Sequence, residues 1–262
     1  MNQPVEKVAS QAEPARKNVA AIICAAGAST RFGGGDRKKP FVDVAGRAAF
    51  IRSIEFFNDR SDVKQVLLAI AREDEELVKV KYGANLAFYN VKICYGGSER
   101  FDTIARALPL VKDDIQLIAV HDAVRCCLTK DWVDKVIAKA GETGAAILAC
   151  PVVATLKKVT DGSIVETVRR SDLYEAQTPQ VFDAALLRKA YAELGKLDLA
   201  AISDDAMLVE ALGHKVAVVE TDHSNIKITR KSDVPIAEAI IKSRPAPKID
   251  QGYVGPYSEA QW

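Results

Sequence analysis

Over its first 150 residues the chain alternates short apolar runs with stretches of helical spacing. Runs at 21–24, 63–71, 91–95, 115–120 and 145–151 read as buried strands. Between the first two, Ala48, Phe50, Ile51, Ile54 and Phe57 mark one face of a helix over 47–57. Further helices are expected at 73–80, around 105–108 and at 132–140. Strands joined through helices pair by crossover, which covers both faces of the sheet and makes it mainly parallel. The expected class is α/β, a mostly parallel twisted sheet covered by helices.

The alternation then breaks. Residues 155–159 and 163–168 flank Asp161-Gly162, a turn pair that predicts a β-hairpin. This arm, about 155–170, carries Lys157, Lys158, Arg169 and Arg170. An isolated two-stranded ribbon is marginal in water, so its apolar face needs cover, and a partner subunit is one place to find it. Helices at 184–194 and 204–212, a strand at 216–219 and a helix near 234–242 complete a domain over 19–243. Residues 1–18 read as a disordered leader and 244–262 as a loose, proline-bearing tail.

Net charge is +1, so any basic site must be local, and no nucleic-acid partner is expected. No apolar run suits a signal peptide or a membrane span, which gives a cytoplasmic expectation with no membrane partner. The five cysteines form no CxxC pair, and Cys126-Cys127 lack the spacing of a zinc site, so no protein metal site is expected. Three of the five end or flank apolar runs, as buried thiols in a reducing compartment do.

The first strand empties into Ala25-Ala26-Gly27-Ala28-Ser29, which has little side chain and much backbone. Arg31, Arg37, Lys38 and Lys39 follow, interleaved with Gly33-Gly34-Gly35. Exposed N–H groups beside cations suit a polyphosphate. Taken alone, glycine among basic residues is more often a plain solvated loop. The stretch has neither the Gly-Lys-Ser/Thr ending of a Walker loop nor the dinucleotide fingerprint, whose first glycine alone has a counterpart, Gly27.

Ligands of open parallel sheets bind beyond the carboxyl ends of the strands. The loops expected there hold Arg31, Lys39, Arg100, Asp122, Arg125, Thr155, Arg170 and Lys227. Each has a plain structural alternative: a helix cap for Asp122, a solvated pair for Arg169-Arg170, an edge-strand charge for Lys227. His121 reads as a packed or capping residue, not a base. Together they give several cations and one strand-end acid, with no Ser-His-Asp set and no paired carboxylates. That composition suits phosphoryl or nucleotidyl transfer, where catalysis is chiefly positioning and charge neutralisation.

Seven blocks in order carry a family resemblance. They are Ala25-Ala26-Gly27 with Arg31-Phe32; Lys39 before Phe41; Gly96-Gly97-Ser98-Glu99-Arg100; and Val120-His121-Asp122-Ala123-Val124-Arg125. Thr178-Pro179-Gln180, Ser203-Asp204-Asp205-Ala206 and Asn225-Ile226-Lys227-Ile228-Thr229 follow. From about Val19 to Lys242 the chain resembles the 2-C-methyl-D-erythritol 4-phosphate cytidylyltransferases, enzymes of non-mevalonate isoprenoid synthesis with a Rossmann-like nucleotidyltransferase fold. The resemblance implies CMP transfer from CTP to methylerythritol phosphate.

It also implies roles. Arg31 and Lys39 would stabilise charge on the five-coordinate α-phosphate. Arg170 and Lys227 would position the acceptor, with Asp122, Arg125 and Thr155 binding it. The backbone at Ala25, Ala26 and Gly27, the turn Gly96-Gly97-Ser98 and Thr103 would hold CTP. Mg2+ would bridge the triphosphate oxygens. The arm would reach a second subunit of a homodimer, so Thr155 and Arg170 would complete a neighbour's site. Two rivals are a ribitol 5-phosphate cytidylyltransferase and a non-catalytic nucleotide-binding protein on the same fold. Departures from the family pattern are Pro40 where Gln is usual, Ala123-Val124-Arg125-Cys126 where Ala-Ala-Arg-Pro is usual, Ser224 where an acid sometimes stands, and the triple glycine.

Overall fold

The computed structural model describes residues 17–27, 32 and 38–245. In chain order the elements are β1 (Val19–Cys24), β2 (Asp43–Val44), β3 (Arg47–Ala48), α1 (Ala49–Asn58), β4 (Val63–Ile70), α2 (Glu75–Phe88), β5 (Val91–Tyr95) and α3 (Arg100–Ala107). Then come β6 (Leu117–Asp122), α4 (Lys130–Thr143), β7 (Ala145–Pro151), β8 (Leu156–Thr160), β9 (Ser163–Val168) and β10 (Tyr174–Asp183). The chain closes with α5 (Ala184–Ala192), α6 (Asp205–Ala211), β11 (Ala217–Glu220) and α7 (Asp233–Ser243).

Seven strands form one sheet in the order β11-β7-β10-β6-β1-β4-β5. Every pairing is parallel except those of β10, which runs antiparallel between β6 and β7. The continuous apolar runs of β1, β4 and β6 follow from burial on both faces. Ile23, Leu68 and Ile70 meet Phe50, Ile54 and Phe57 of α1 on one side. Ile22, Leu67 and Ile118 meet Ile104 of α3 and Leu187 of α5 on the other. Each such side chain, fully buried, contributes about 1.5–3 kcal/mol. A third cluster under the site joins Phe32, Val42, Val124, Cys126, Cys127, Ile228 and Ala237. Cys126, in the place of the usual proline, is a packing residue there.

β10 is the element the pattern did not announce. Its middle is Gln177-Thr178-Pro179-Gln180, and a proline inside a polar run argues against a central strand. The pairing with β7 is indeed irregular between Ala176 and Gln180. Buried side chains take over where the ladder fails: Gln177 Oε1 accepts from Thr221 Oγ1 at 2.9 Å and Asn225 Nδ2 at 2.7 Å. Thr178 Oγ1 accepts from the Asp122 N–H at 3.0 Å.

Smaller differences have local causes. The helix expected at 73–80 follows a 3-10 turn, Arg72–Asp74, and runs on as α2 because Val78, Tyr82 and Leu86 continue its buried stripe. The strand expected to break at His121-Asp122 includes both, paired with Ile23 and Cys24. Arg47 and Ala48 pair with Asp43 and Val44 before α1 begins. Asp204 caps α6 by accepting from Met207 N and does not lie inside the helix. The segment around Lys227 is not an edge strand but an extended loop, held by Ile228 N donating to Val124 O at 3.0 Å. At the tail's start, Arg244 donates to Leu128 O and Cys127 O at 2.5 and 2.7 Å, and Ser224 Oγ accepts from it at 3.3 Å. Residues 1–16 of the expected leader lie outside the described residues; Lys17 and Asn18 are bonded to Gly141 O and Gln116. Residues 246–262 of the expected tail also lie outside.

β8 and β9 pair antiparallel as a separate two-stranded sheet around Asp161 and Gly162, both at positive φ. Val159, Ile164 and Val165 are all more than half exposed on this ribbon.

Candidate active site

β1 and β5 flank β4, and the loops that follow them meet over its end. Ala25 N donates to Ala69 O at 2.8 Å and Gly96 N to Ile70 O at 2.9 Å. A Cβ on Gly96 would lie 2.3 Å from the Ala26 Cβ, and one on Gly97 2.2 Å from the Asp102 Cβ. Only bare backbone fits between these loops. Gly97 N donates to Thr103 Oγ1 at 3.0 Å, and that hydroxyl donates on to Glu99 O. Ser98 Oγ donates to Asp102 Oδ2 at 2.7 Å, inside a capping box between Glu99 and Asp102 that starts α3. Thr103 and Ser98 thus brace the turn with their hydroxyls, and the N–H groups of Gly96 and Gly97 are both taken within the protein.

At the end of β6, Asp122 sits among cations. Lys227 Nζ lies 2.7 Å from Oδ2 and Arg100 Nε donates to Oδ1 at 3.3 Å, while Arg125 Nε is 3.9 Å from Oδ2. Burial pushes the Asp122 carboxyl up, but Arg100, Lys227 and Arg125 outweigh it and hold it well below the usual carboxylate range. Arg100 is in turn bonded to buried Asp205 at 2.6 Å. Arg125 is fastened by donation to Asn225 O at 2.7 Å and Ala176 O at 3.4 Å.

His121 is fully buried against Phe57, with Nδ1 3.0 Å from Thr178 Oγ1. Burial pushes its imidazole down to about 3, so it is neutral at physiological pH and serves packing.

Of the residues singled out from the sequence, Ala25, Ala26, Gly27, Gly96, Gly97, Ser98, Thr103, Asp122, Arg125 and Lys227 lie on loops or strand ends of the sheet or, for Thr103, in the first turn of α3. Lys39 opens a 3-10 turn, Lys39–Phe41, in which Pro40 fits the first-turn position and is buried with Phe41. Its neighbour Lys38 is committed to Glu73 and Asp74 at 2.8 and 2.9 Å. Thr155 and Arg170 are exposed at the base of the hairpin, where Arg170 Nη1 donates to Val153 O. Arg31 and Gly33-Gly34-Gly35 lie outside the described residues. Asp205, Thr178 and Gln180 organise the site without a role having been read for them, although all three stand in the quoted blocks. Gln180 Oε1 accepts from the N–H groups of Asp205 and Ala206, and its amide donates to Asp204 Oδ2.

Comparison with known proteins identifies the family. The family model described as 2-C-methyl-D-erythritol 4-phosphate cytidylyltransferase (IspD) matches residues 19–243. A relative of that name from Endomicrobium trichonymphae is 40% identical over 226 residues, covering 86% of this chain and 99% of its own. The one from Rhodopirellula baltica is 39% identical over 237 residues, covering 86% and 95%. The crystal structure of the Thermus thermophilus protein of the same name superposes with a TM-score of 0.70 at 31% identity, over 84% of this chain and 98% of that one. The chain belongs to the 2-C-methyl-D-erythritol 4-phosphate cytidylyltransferase family.

Proposed function

We propose that this protein transfers CMP from CTP to 2-C-methyl-D-erythritol 4-phosphate, releasing pyrophosphate, in non-mevalonate isoprenoid synthesis. The observation that carries the reading within this family is the strand-end cluster. Asp122 stands between Arg100 and Lys227, near a glycine turn too tight for any side chain.

In the reaction an acceptor phosphate oxygen forms a bond to the α-phosphorus as the bond to the pyrophosphate oxygen breaks. That nucleophile is already anionic, so no general base is needed, and the neutral His121 fits a site that moves no proton. The backbone at Ala25, Ala26, Gly27, Gly96 and Gly97 would receive CTP. Arg31 and Lys39 would neutralise charge as the α-phosphorus becomes five-coordinate. Lys227 and Arg170 would orient the acceptor phosphate. Asp122, held ionised, would accept hydrogen bonds from polyol hydroxyls, with Arg125 beside it and Thr155 as a further binding group.

Both Asp122 oxygens already face cations, so the donor set suits a Mg2+ that arrives on the triphosphate better than one caged by protein. The ion would add charge neutralisation on the phosphates. The exposed apolar residues of β8 and β9 support a homodimer in which the arm crosses to the neighbouring subunit. Among the described residues no helix is long and apolar enough to cross a membrane, and the setting proposed is the cytoplasm.

The test is pyrophosphate release with magnesium, crossing four nucleoside triphosphates with methylerythritol 4-phosphate and ribitol 5-phosphate. Release only with CTP and methylerythritol phosphate is expected. Release with ribitol phosphate instead would change the acceptor. No release from folded protein would favour a binding role.

A further inference from the structure

Asp205 is a fully buried carboxylate whose place is not explained by the helix it opens. The cap of α6 is Asp204, and the N–H groups of Asp205 and Ala206 are taken by Gln180 Oε1 at 3.1 and 3.2 Å. The Asp205 carboxylate turns instead toward α3 and α5. Oδ2 accepts from Arg100 Nη1 at 2.6 Å and Oδ1 from Tyr191 Oη at 2.5 Å. Arg100 then reaches Asp122 Oδ1 through Nε, and Asp122 Oδ2 pairs with Lys227. One line of charges, Asp205–Arg100–Asp122–Lys227, joins α6 to the loop that carries Lys227.

A buried ion pair is weak as a source of stability, because desolvation offsets most of its attraction. What it sets is geometry. Among the described residues Arg100 Nη2, which is buried, has no hydrogen-bond partner, and the guanidinium is aimed by two carboxylates. We infer that Asp205 is a positioning residue: it holds Arg100 turned so that Asp122 meets it through one oxygen and keeps the other for Lys227. The inference rests on the proposed role of Asp122 and Lys227 at the acceptor. Without the Asp205 charge, Arg100 has a single carboxylate to satisfy, and a bidentate pair with Asp122 takes the oxygen that Lys227 uses. Lys227 is then released, while the nucleotide loops keep their own bracing.

The test is steady-state kinetics of Asp205→Asn, which keeps the shape and removes the charge. The KM for the acceptor should rise about tenfold or more, with the KM for CTP within about twofold of wild type. Arg100→Lys, whose ammonium cannot bridge two carboxylates through a planar fork, should do the same. The double variant should be no worse for the acceptor than either single one. Equal rises in both KM values, a fall in kcat alone, or no change would overturn the inference. If Asp205→Asn does not fold, a normal acceptor KM in Arg100→Lys overturns it. An inactive wild type would remove the functional reading and this inference with it, whereas an active wild type and an unaltered Asp205→Asn would remove the inference only.

Discussion

Gly96 and Ala26 stand so close that a methyl group on the glycine would lie 2.3 Å from the alanine's own. The loops after β5 and β1 are therefore packed backbone against small side chain, and neither can grow without moving the other. Gly96→Ala should lower stability by about 1–3 kcal/mol, as overpacking does, and raise the KM for CTP. Gly83 lies in α2 with open space where its Cβ would be. Gly83→Ala should raise stability by about 0.5–1 kcal/mol. Urea unfolding of both variants checks the contrast, and equal effects would contradict the packing account.

Lys39→Ala should reduce turnover by about 10²–10³-fold, the usual cost of losing one group that neutralises transition-state charge, with little change in melting temperature. Arg170→Ala should mainly impair use of the acceptor. If Arg170 serves the neighbouring subunit's site, mixed dimers of the two variants contain one site with both residues intact. Mixing should then restore up to half of the wild-type activity per dimer. Lack of recovery from verified mixed dimers would place both residues in one subunit's site.

His121 gives the fold a pH dependence of its own. Burial holds its imidazole at about 3 in the folded protein, against an ordinary value of 6.5. Above pH 6.5 neither state binds the proton, and the stability is full. Below it the unfolded chain takes up a proton that the folded one refuses, so stability falls by up to about 1.4 kcal/mol per pH unit until about pH 3. Wild type should lose about 2 kcal/mol from this group between pH 7 and pH 5. His121→Gln should show a shallower slope in the same unfolding series, and parallel slopes would disprove it.

The parallel half of the sheet was legible because β1, β4, β6 and β7 are buried on both faces and so carry unbroken apolar runs. β10 was not, since its interior polar residues are satisfied by Thr221, Asn225 and Asp204, partners 24 to 48 positions away in the chain. At the site, the cations of the quoted blocks could be read as a charge type. Their pairing could not: Arg100 and Asp205 are 105 residues apart, and nothing local in either block says which acid faces which base. The bare Gly96-Gly97 turn was visible as composition, while its cause, contact with Ala26 and Asp102, exists only in three dimensions.

The antiparallel β10 also decides when the molecule can be finished on the ribosome. β6 completes the first four neighbouring strands at Asp122, yet its open flank is covered only by residues 180–183. About 60 further residues must be made first, roughly 3–12 s of synthesis. Through that interval the nascent chain presents Leu117, Ile118, Ala119 and Val120 as an unpaired edge, the kind of surface that seeds association between chains. Escape from aggregation during production should therefore depend on translation speed between Asp122 and Asp183, a stretch that includes the whole hairpin arm.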